Sequence, residues 1–234
     1  MAEPAENLAL DEALLESAGQ PGCGGWLRFW ESPVSFVTLG VSQVAAQEAH
    51  LTHCSEDGVA VLRRCSAGGC VLQGQGSLNY ALALPFELFP VLRGLQASYT
   101  HILGKVGNAF AACGINLAHQ GICDLALDGR KVSGNAQRRT KDALLHHGTL
   151  LYRMDHDALE RYLREPAERP AYRGDRGHRD FVTVLPCDPN EIKAAIIVAF
   201  APLDAGAIVE PALMARTQTL ATEKYRDPQW NFRR

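Results

Sequence analysis

Asp124-Leu125-Ala126-Leu127-Asp128-Gly129-Arg130-Lys131-Val132-Ser133-Gly134-Asn135-Ala136-Gln137-Arg138-Arg139 is the segment from which the architecture can be read. Its two halves meet at Asp128-Gly129, a dipeptide favoured in type I′ hairpin turns because both central residues need φ > 0. With the apolar run beyond it, residues 124–152 read as a meander of three strands. Side chains alternate along a strand, so Lys131, Ser133 and Asn135 are expected on one face and Val132 and Ala136 on the other. A mid-strand lysine beside small polar residues and Gly134 has two readings. Either it meets a bound phosphate or acyl carbonyl, or it is an exposed lysine paired with a neighbouring acid.

Downstream, Leu144-Leu145-His146-His147-Gly148-Thr149-Leu150-Leu151 forms the last strand of the meander. Adjacent histidines on a strand face opposite ways, so they cannot share one metal, and no other Cys/His spacing completes a site. No metal site built from protein side chains is expected. His147, next to Gly148, either lines a pocket or is a hydrogen-bonded structural histidine. Upstream, a strand at 59–64 enters Arg63-Arg64-Cys65-Ser66-Ala67-Gly68-Gly69-Cys70-Val71-Leu72-Gln73-Gly74-Gln75-Gly76-Ser77-Leu78-Asn79-Tyr80. Gly68 and Gly69 let backbone N–H groups approach an anion, and the arginines can add charge-assisted bonds. The loop is neither a Walker A loop nor a dinucleotide fingerprint, because it leads into 77–84, which alternates as a half-buried strand. On its own the loop is equally a plain hairpin connection.

Helical patterns flank these strands. Residues 7–16 read as an amphipathic helix, and 26–30 and 35–39 as strands. Ser98 is the expected cap of a helix with Tyr99, Ile102, Leu103, Val106 and Phe110 on its apolar face and Gly114 as its stop. Another helix falls near 157–164, and Asp188-Pro189-Asn190-Glu191 is a capping-box start. Residues 165–181 read as a long loop rich in Arg, Gly and Pro, of a length typical of lids. Strands outnumber helices and cluster, so the class is α+β with a central mixed, largely antiparallel sheet flanked by helices. One domain over 1–234 is expected.

Composition adds exclusions. The 234 residues carry a formal net charge of −3, which gives no global attraction to nucleic acid or anionic membrane. The seven cysteines form no CxxC pair, and no secretory leader or membrane-length apolar run is evident, so a cytoplasmic protein is expected.

Taken together and in order, RRCSAGGCVLQGQGSLNY, DLALDGRKVSGNAQ and HHGTLL resemble the lipoate–protein ligase branch of the biotin/lipoate ligase superfamily. The pattern of that branch is RRxSGGGxVxHxxGxLN(Y/F), DLxxxGRKxSGxAQ and HG(T/S)LL. NLALDEALL, WESPVSFVTLGVSQ and EKYRDPQW are also similar to family elements. The resemblance implies a class II synthetase-like catalytic domain with a tunnel for an eight-carbon acyl chain. It also implies two half-reactions: lipoate (or octanoate) and Mg2+–ATP give the acyl-adenylate, then a carrier lysine takes the acyl group. Lys131 would be the catalytic cation, a role worth a few kcal/mol. Arg63, Arg64, Ser66, Gly68, Gly69, Cys70 and Val71 would hold nucleotide and acyl group. Asn79, Asp124, Ser133, Gly134, His147 and Gly148 would line the same pocket. Partners would be lipoyl carrier domains, of the 2-oxoacid dehydrogenase E2 type or the glycine-cleavage H type, and in some members a separate accessory subunit.

The departures from the pattern are specific. Ala67 replaces the first glycine of the triplet, and Gln73 stands where many members have histidine. The chain is expected to lack the accessory domain that two-domain ligases carry after this point. Single-domain relatives include octanoyl and lipoyl transferases that use a cysteine thioester instead of ATP. Cys123, just upstream of the lysine strand, is the alternative nucleophile, although its offset from that strand differs from theirs. Cys65 and Cys70, near the arginines, are further candidates. Arg164, Arg169, Arg173, Arg176 and Arg179 are expected to make the 165–181 loop a lid over the adenylate or a dock for an acidic carrier.

Overall fold

The computed structural model describes residues 1, 3–201, 203 and 210–234. In chain order the elements are α1 (Pro4–Ala18), β1 (Trp26–Trp30), β2 (Phe36–Leu39), α2 (Ala45–Glu48), α3 (Leu51–Glu56), β3 (Ala60–Arg63), β4 (Val71–Gln73) and β5 (Ser77–Pro85). Then come α4 (Leu95–Ala112), β6 (Ala118–Gln120), β7 (Asp124–Leu127), β8 (Arg130–Arg139), β9 (Ala143–Leu151), α5 (His156–Tyr162) and α6 (His178–Phe181). α7 (Pro189–Ala199), α8 (Pro211–Leu220) and α9 (Pro228–Asn231) complete the chain.

The 124–152 meander is present as β7, β8 and β9, and its first turn has Asp128 at φ 50° and Gly129 at φ 73°, as a type I′ turn requires. These strands sit in a six-stranded sheet of order β1-β5-β9-β8-β7-β6, antiparallel throughout. A second sheet, β3-β2-β4, pairs β2 with β3 in parallel and with β4 antiparallel. The mixed character of the fold therefore lies in the small sheet.

β5 is buried along its whole length, on both faces, where the sequence suggested a half-buried strand. Ala81 and Ala83 face α1 and α8, and their small side chains admit Leu8, Leu15 and Leu213 to the same cluster. Leu78, Tyr80, Leu82 and Leu84 face α4 and α7 with Ile102, Val106, Ile192 and Ile196. A third cluster joins Val37, Leu39 and Val61 of the small sheet to Leu159, Leu163 and Phe181.

The stripe Tyr99, Ile102, Leu103, Val106 and Phe110 is buried, and Gly114 comes just after the helix at φ 81°. α4 begins at Leu95, however, so Ser98 lies inside it and donates to Leu95 O (2.7 Å) and Gln137 Oε1 (2.9 Å) instead of capping. At α7 the capping box forms as expected. The 165–181 segment is packed: it holds a 3-10 turn (Ala171–Arg173) and α6. Among the described residues no helix is long and apolar enough to cross a membrane.

Candidate active site

The centre is Lys131. Its Nζ lies 2.7 Å from Asp124 Oδ1, across the β7–β8 hairpin, with the lysine 29% and the aspartate 8% exposed. Between Leu125 and Ala126 the pairing register slips: Leu125 opposes Ser133 but Ala126 opposes Lys131. That β-bulge breaks the alternation assumed from sequence. Lys131 consequently turns to the same side as Gly134, where a Cβ would stand 2.9 Å from both Cε and Nζ of the lysine. Gly134 is the space the lysine occupies. Ser133 and Asn135 turn to the opposite side, so the shared face expected for them with Lys131 does not form.

On that opposite side a buried hydrogen-bond chain stiffens the sheet. Gln137 Nε2 donates to His146 Nδ1 (3.1 Å), and the remaining ring N–H can then donate to Tyr80 Oη (3.2 Å). Tyr80 donates to Asn135 Oδ1 (2.6 Å), and Asn135 Nδ2 donates to Cys123 O (2.8 Å) and Ser133 Oγ (3.2 Å). Burial, with neighbouring His147, pushes His146 down to about 3, so the ring is neutral and suited to this chain.

The glycine-rich loop is organised from beneath by Arg64. Its Nη2 donates to Ala67 O (2.7 Å) and Gly69 O (3.0 Å), and its Nε to Ser66 Oγ (3.0 Å). Gly68 adopts φ 95°, which accommodates the guanidinium 2.8 Å from its Cβ position. Ser66 Oγ also meets His147 Nε2 at 2.6 Å, and His147 Nδ1 meets Asp11 Oδ2 at 3.0 Å. Asp11 is in turn held by Arg28 Nη1 at 2.7 Å. Thus α1, β1, β9 and the loop are joined by one chain of polar contacts. Nearby, Gln73, Asn79 and Thr149 form a closed triangle at 2.8–2.9 Å.

Two connected cavities meet at Lys131. The inner, about 100 Å³, is walled by buried Leu8, Asp11, Trp30, Thr38, Arg64, Gln73 and Asn79 and by partly exposed His147. The outer, about 570 Å³, lies under the 165–181 segment and is lined by Leu72, Met154, Leu159, Leu163, Pro170 and Phe181 among others. Gly69, Cys70, Val71, Cys123, Asp124, Lys131, Gly134 and Thr149 line both.

The 165–181 segment and the residues after it are tied down beside the lysine. Thr183 N donates to Lys131 O (2.8 Å), Arg130 Nη2 to Val182 O (2.8 Å), and Tyr172 Oη to Asp124 Oδ2 (2.8 Å). Its arginines have partners within the chain. Arg173 pairs with Glu165 at 2.6 Å, Arg169 with Glu165 at 3.4 Å, and Arg179 with Asp157 and Glu160. Arg176 and Arg164 donate to backbone carbonyls. These contacts hold the 165–181 segment together.

The structure thus brings Arg64, Gly69, Cys70, Val71, Asn79, Cys123, Asp124, Lys131, Gly134, His147 and Gly148 to the cleft walls. It places Arg63 elsewhere. That side chain is fully buried and donates to the carbonyls of Gly40, Gln43, Trp230 and Asn231, clamping α9 to the small sheet. Ser66 and Gly68 sit behind the loop, and Ser133 beneath the sheet. Cys65 is buried next to Tyr225 in the α1 cluster, and burial pushes its thiol up to about 12. Cys70, on the cleft wall, is likewise pushed up to about 12 by burial. Asp11 and Tyr172 do not stand out in the sequence. The acid among the apolar residues of 7–16 is the available signal for Asp11, whereas Tyr172 reaches Asp124 only through the folding of the lid.

The sequence profile of the lipoyl protein ligase A/B catalytic domain matches residues 3–201. Octanoyltransferase LipM of Carboxydothermus hydrogenoformans is 30% identical over 98% of this chain and 94% of its own. A Mycoplasma pneumoniae protein named for lipoate-protein ligase A is 29% identical over 68% of this chain, which spans 46% of that protein. Among solved structures, lipoate-protein ligase A bound with ATP superposes with TM-score 0.86 at 22% identity, covering 98% of this chain and 94% of that one. A bipartite lipoate protein ligase from Thermoplasma acidophilum, studied with its E2 lipoyl domain, gives TM-score 0.79 at 24% identity over 97% and 91%. The fold is that of the lipoate ligases, and the chain belongs to the lipoyl protein ligase A/B catalytic domain family, as an enzyme of the lipoate ligase and octanoyltransferase class.

Proposed function

We propose that this enzyme is an ATP-dependent lipoate–protein ligase centred on Lys131. The observation that carries the reading is the position of that ammonium, fixed by Asp124 at the junction of the two cavities. The smaller branch, walled largely by buried side chains, suits an acyl chain, which needs no further access once bound. The wide branch under the lid suits the nucleotide and the incoming carrier lysine, both of which arrive from solvent. Magnesium enters with ATP as the substrate complex.

In the first step the acyl carboxylate attacks the α-phosphorus of ATP, giving acyl-adenylate and pyrophosphate. In the second, the carrier lysine's neutral ε-amine attacks the acyl carbonyl, AMP leaves with the electron pair of the broken C–O bond, and the nitrogen gives up one proton to solvent as the amide forms. The Lys131 cation, beside carbonyl and phosphate, stabilises the negative charge that builds in both transition states. Gly69 and Cys70 make no protein hydrogen bond through their N–H groups among the described residues, which leaves these donors for anionic oxygens. The partner is a lipoyl carrier domain of the E2 or glycine-cleavage type.

The second reading is an ATP-independent octanoyl- or lipoyltransferase using Cys123, favoured by the end-to-end match to an octanoyltransferase. Against it, burial and adjacent Asp124 push the Cys123 thiol up, away from the thiolate a nucleophile needs. Transfer from free lipoate to an apo-lipoyl domain, read by intact mass, tests the proposal. Modification that requires ATP and survives Cys123→Ser supports the ligase. Modification without ATP from an octanoyl-carrier, abolished by that substitution, sinks it.

A further inference from the structure

The carboxylate that holds Lys131 is itself held from the far side. Lys131 Nζ takes Asp124 Oδ1 at 2.7 Å, and Tyr172 Oη donates to Oδ2 of the same buried carboxylate at 2.8 Å. Tyr172 belongs to the 3-10 turn Ala171–Arg173, some forty residues beyond the β7–β8 hairpin. Its position is fixed from two directions. The ring packs on Phe181 with centroids 5.1 Å apart, and Arg176 bridges the Tyr172 carbonyl to Gly129 O in the hairpin turn. Just past α6, Thr183 N donates to Lys131 O at 2.8 Å. The lysine's backbone and, through Asp124, its side chain are thus both tied to the 165–183 stretch. Burial and the adjacent carboxylate push the Tyr172 phenol up, so it remains a donor at neutral pH.

The terminal torsion of an aspartate is soft, so a carboxylate gripped through one oxygen can turn about its Cβ–Cγ bond. A donor on each oxygen fixes its plane. Lys131 depends on that plane, because its four-carbon stem is flexible and Gly134 gives it room without restraint. Without the phenol, Oδ2 would be a buried acceptor with an unmet demand, and the carboxylate would turn to relieve it. We infer that Tyr172 is a positioning residue for acyl transfer: its hydroxyl sets the Asp124 carboxylate, which in turn sets the Lys131 ammonium at the junction of the two cavities. The inference rests on the reading that Lys131 is the cation that meets the reacting atoms. Correct packing of the 165–181 segment is then a condition for alignment of the lysine, although no residue of that segment need touch the acyl carbonyl.

The test is a double-mutant cycle of Tyr172→Phe, which removes only the hydroxyl, and Asp124→Ala, with two readouts. One is kcat and KM for lipoate in transfer to a lipoyl domain; the other is the rate at which acetic anhydride acetylates Lys131 in the folded protein, read by peptide mass. Tyr172→Phe is expected to lower kcat about tenfold with KM for lipoate within about twofold, and to speed acetylation of Lys131 a few-fold. Both effects should vanish in the Asp124→Ala background, where the phenol has no carboxylate to hold. Unchanged kcat and unchanged labelling in folded Tyr172→Phe overturn the inference. So does either effect without the other in an active enzyme, or effects of equal size in both backgrounds, which would leave Tyr172 a merely structural role. If the wild-type protein shows no ATP-dependent transfer, the ligase reading fails, and the labelling cycle alone decides whether Tyr172 sets Lys131.

Discussion

Replacing Gly134 by alanine separates the role of this glycine in positioning the lysine from any role in folding. The new Cβ would stand 2.9 Å from Nζ and Cε of Lys131, while ordinary contacts begin near 3.4 Å. The ammonium must retreat by roughly 0.5–1 Å and give up its 2.7 Å bond to Asp124. The displaced atoms are the end of a flexible side chain, and Gly134 is not in the left-handed region, so the backbone accommodates alanine. In stability, alanine gains about 0.5–1 kcal/mol over glycine in a strand, and the part-exposed ion pair loses about as much. The melting temperature should stay within a few degrees. In catalysis, a displacement approaching 1 Å of a group that must meet the reacting atoms costs about 10²-fold in rate, or about 2.7 kcal/mol. Lipoyl transfer to a carrier domain, measured beside thermal unfolding, reads both. Full activity in Gly134→Ala would refute the claim that Lys131 acts from this position, and gross unfolding would refute the claim that only the lysine tip is crowded.

Three further outcomes are expected from buried charge. His146 is held near 3 while an unfolded histidine titrates near 6.5, so between these values the unfolded chain binds the extra proton. Its contribution is intact above pH 6.5 and falls by up to about 1.4 kcal/mol per pH unit below; urea midpoints from pH 7 to 4.5 should show this slope, flattened in His146→Gln. Arg63→Met strips the donor from at least four backbone carbonyls and should cost at least about 3 kcal/mol, against under about 1 kcal/mol for Arg226→Ala, whose partners Glu3 and Glu6 are at the surface. Equal melting temperatures for the two variants would contradict the clamp. Asp11→Ala leaves buried Arg28 without its carboxylate and should destabilise by about 3–5 kcal/mol, whereas a loss below 1 kcal/mol in denaturant unfolding would show that the pair is not coupled.

The features legible in the sequence are local ones. The Asp128-Gly129 turn, the α4 stripe from Tyr99 to Phe110 and the Asp188–Glu191 cap each depend on neighbours within a few residues, and each formed. The placements that went astray depend on distant partners. Strict alternation could not foresee the bulge that turns Lys131 away from Ser133, because the slip is set by pairing with Leu125 and Ala126. Arg63 reads like a ligand arginine until α9 arrives from 167 residues away to present its carbonyls. The lid arginines were legible as charge but not as pairs, since Glu165, Asp157 and Glu160 meet them only once the segment folds back. α2 and α3, at four and six residues, are too short for a periodic signal, and α8 buries little beyond Leu213, Thr217 and Leu220.

Whether Lys131 activates the acyl group with ATP is decided by lipoate-dependent exchange of labelled pyrophosphate into ATP, run on the wild-type protein, Lys131→Ala and Cys123→Ser. Exchange is predicted in the wild-type protein and in Cys123→Ser, with near-complete loss in Lys131→Ala. Absence of exchange in the wild-type protein, together with an acyl adduct on Cys123 after incubation with an octanoyl-carrier, would contradict the ligase mechanism.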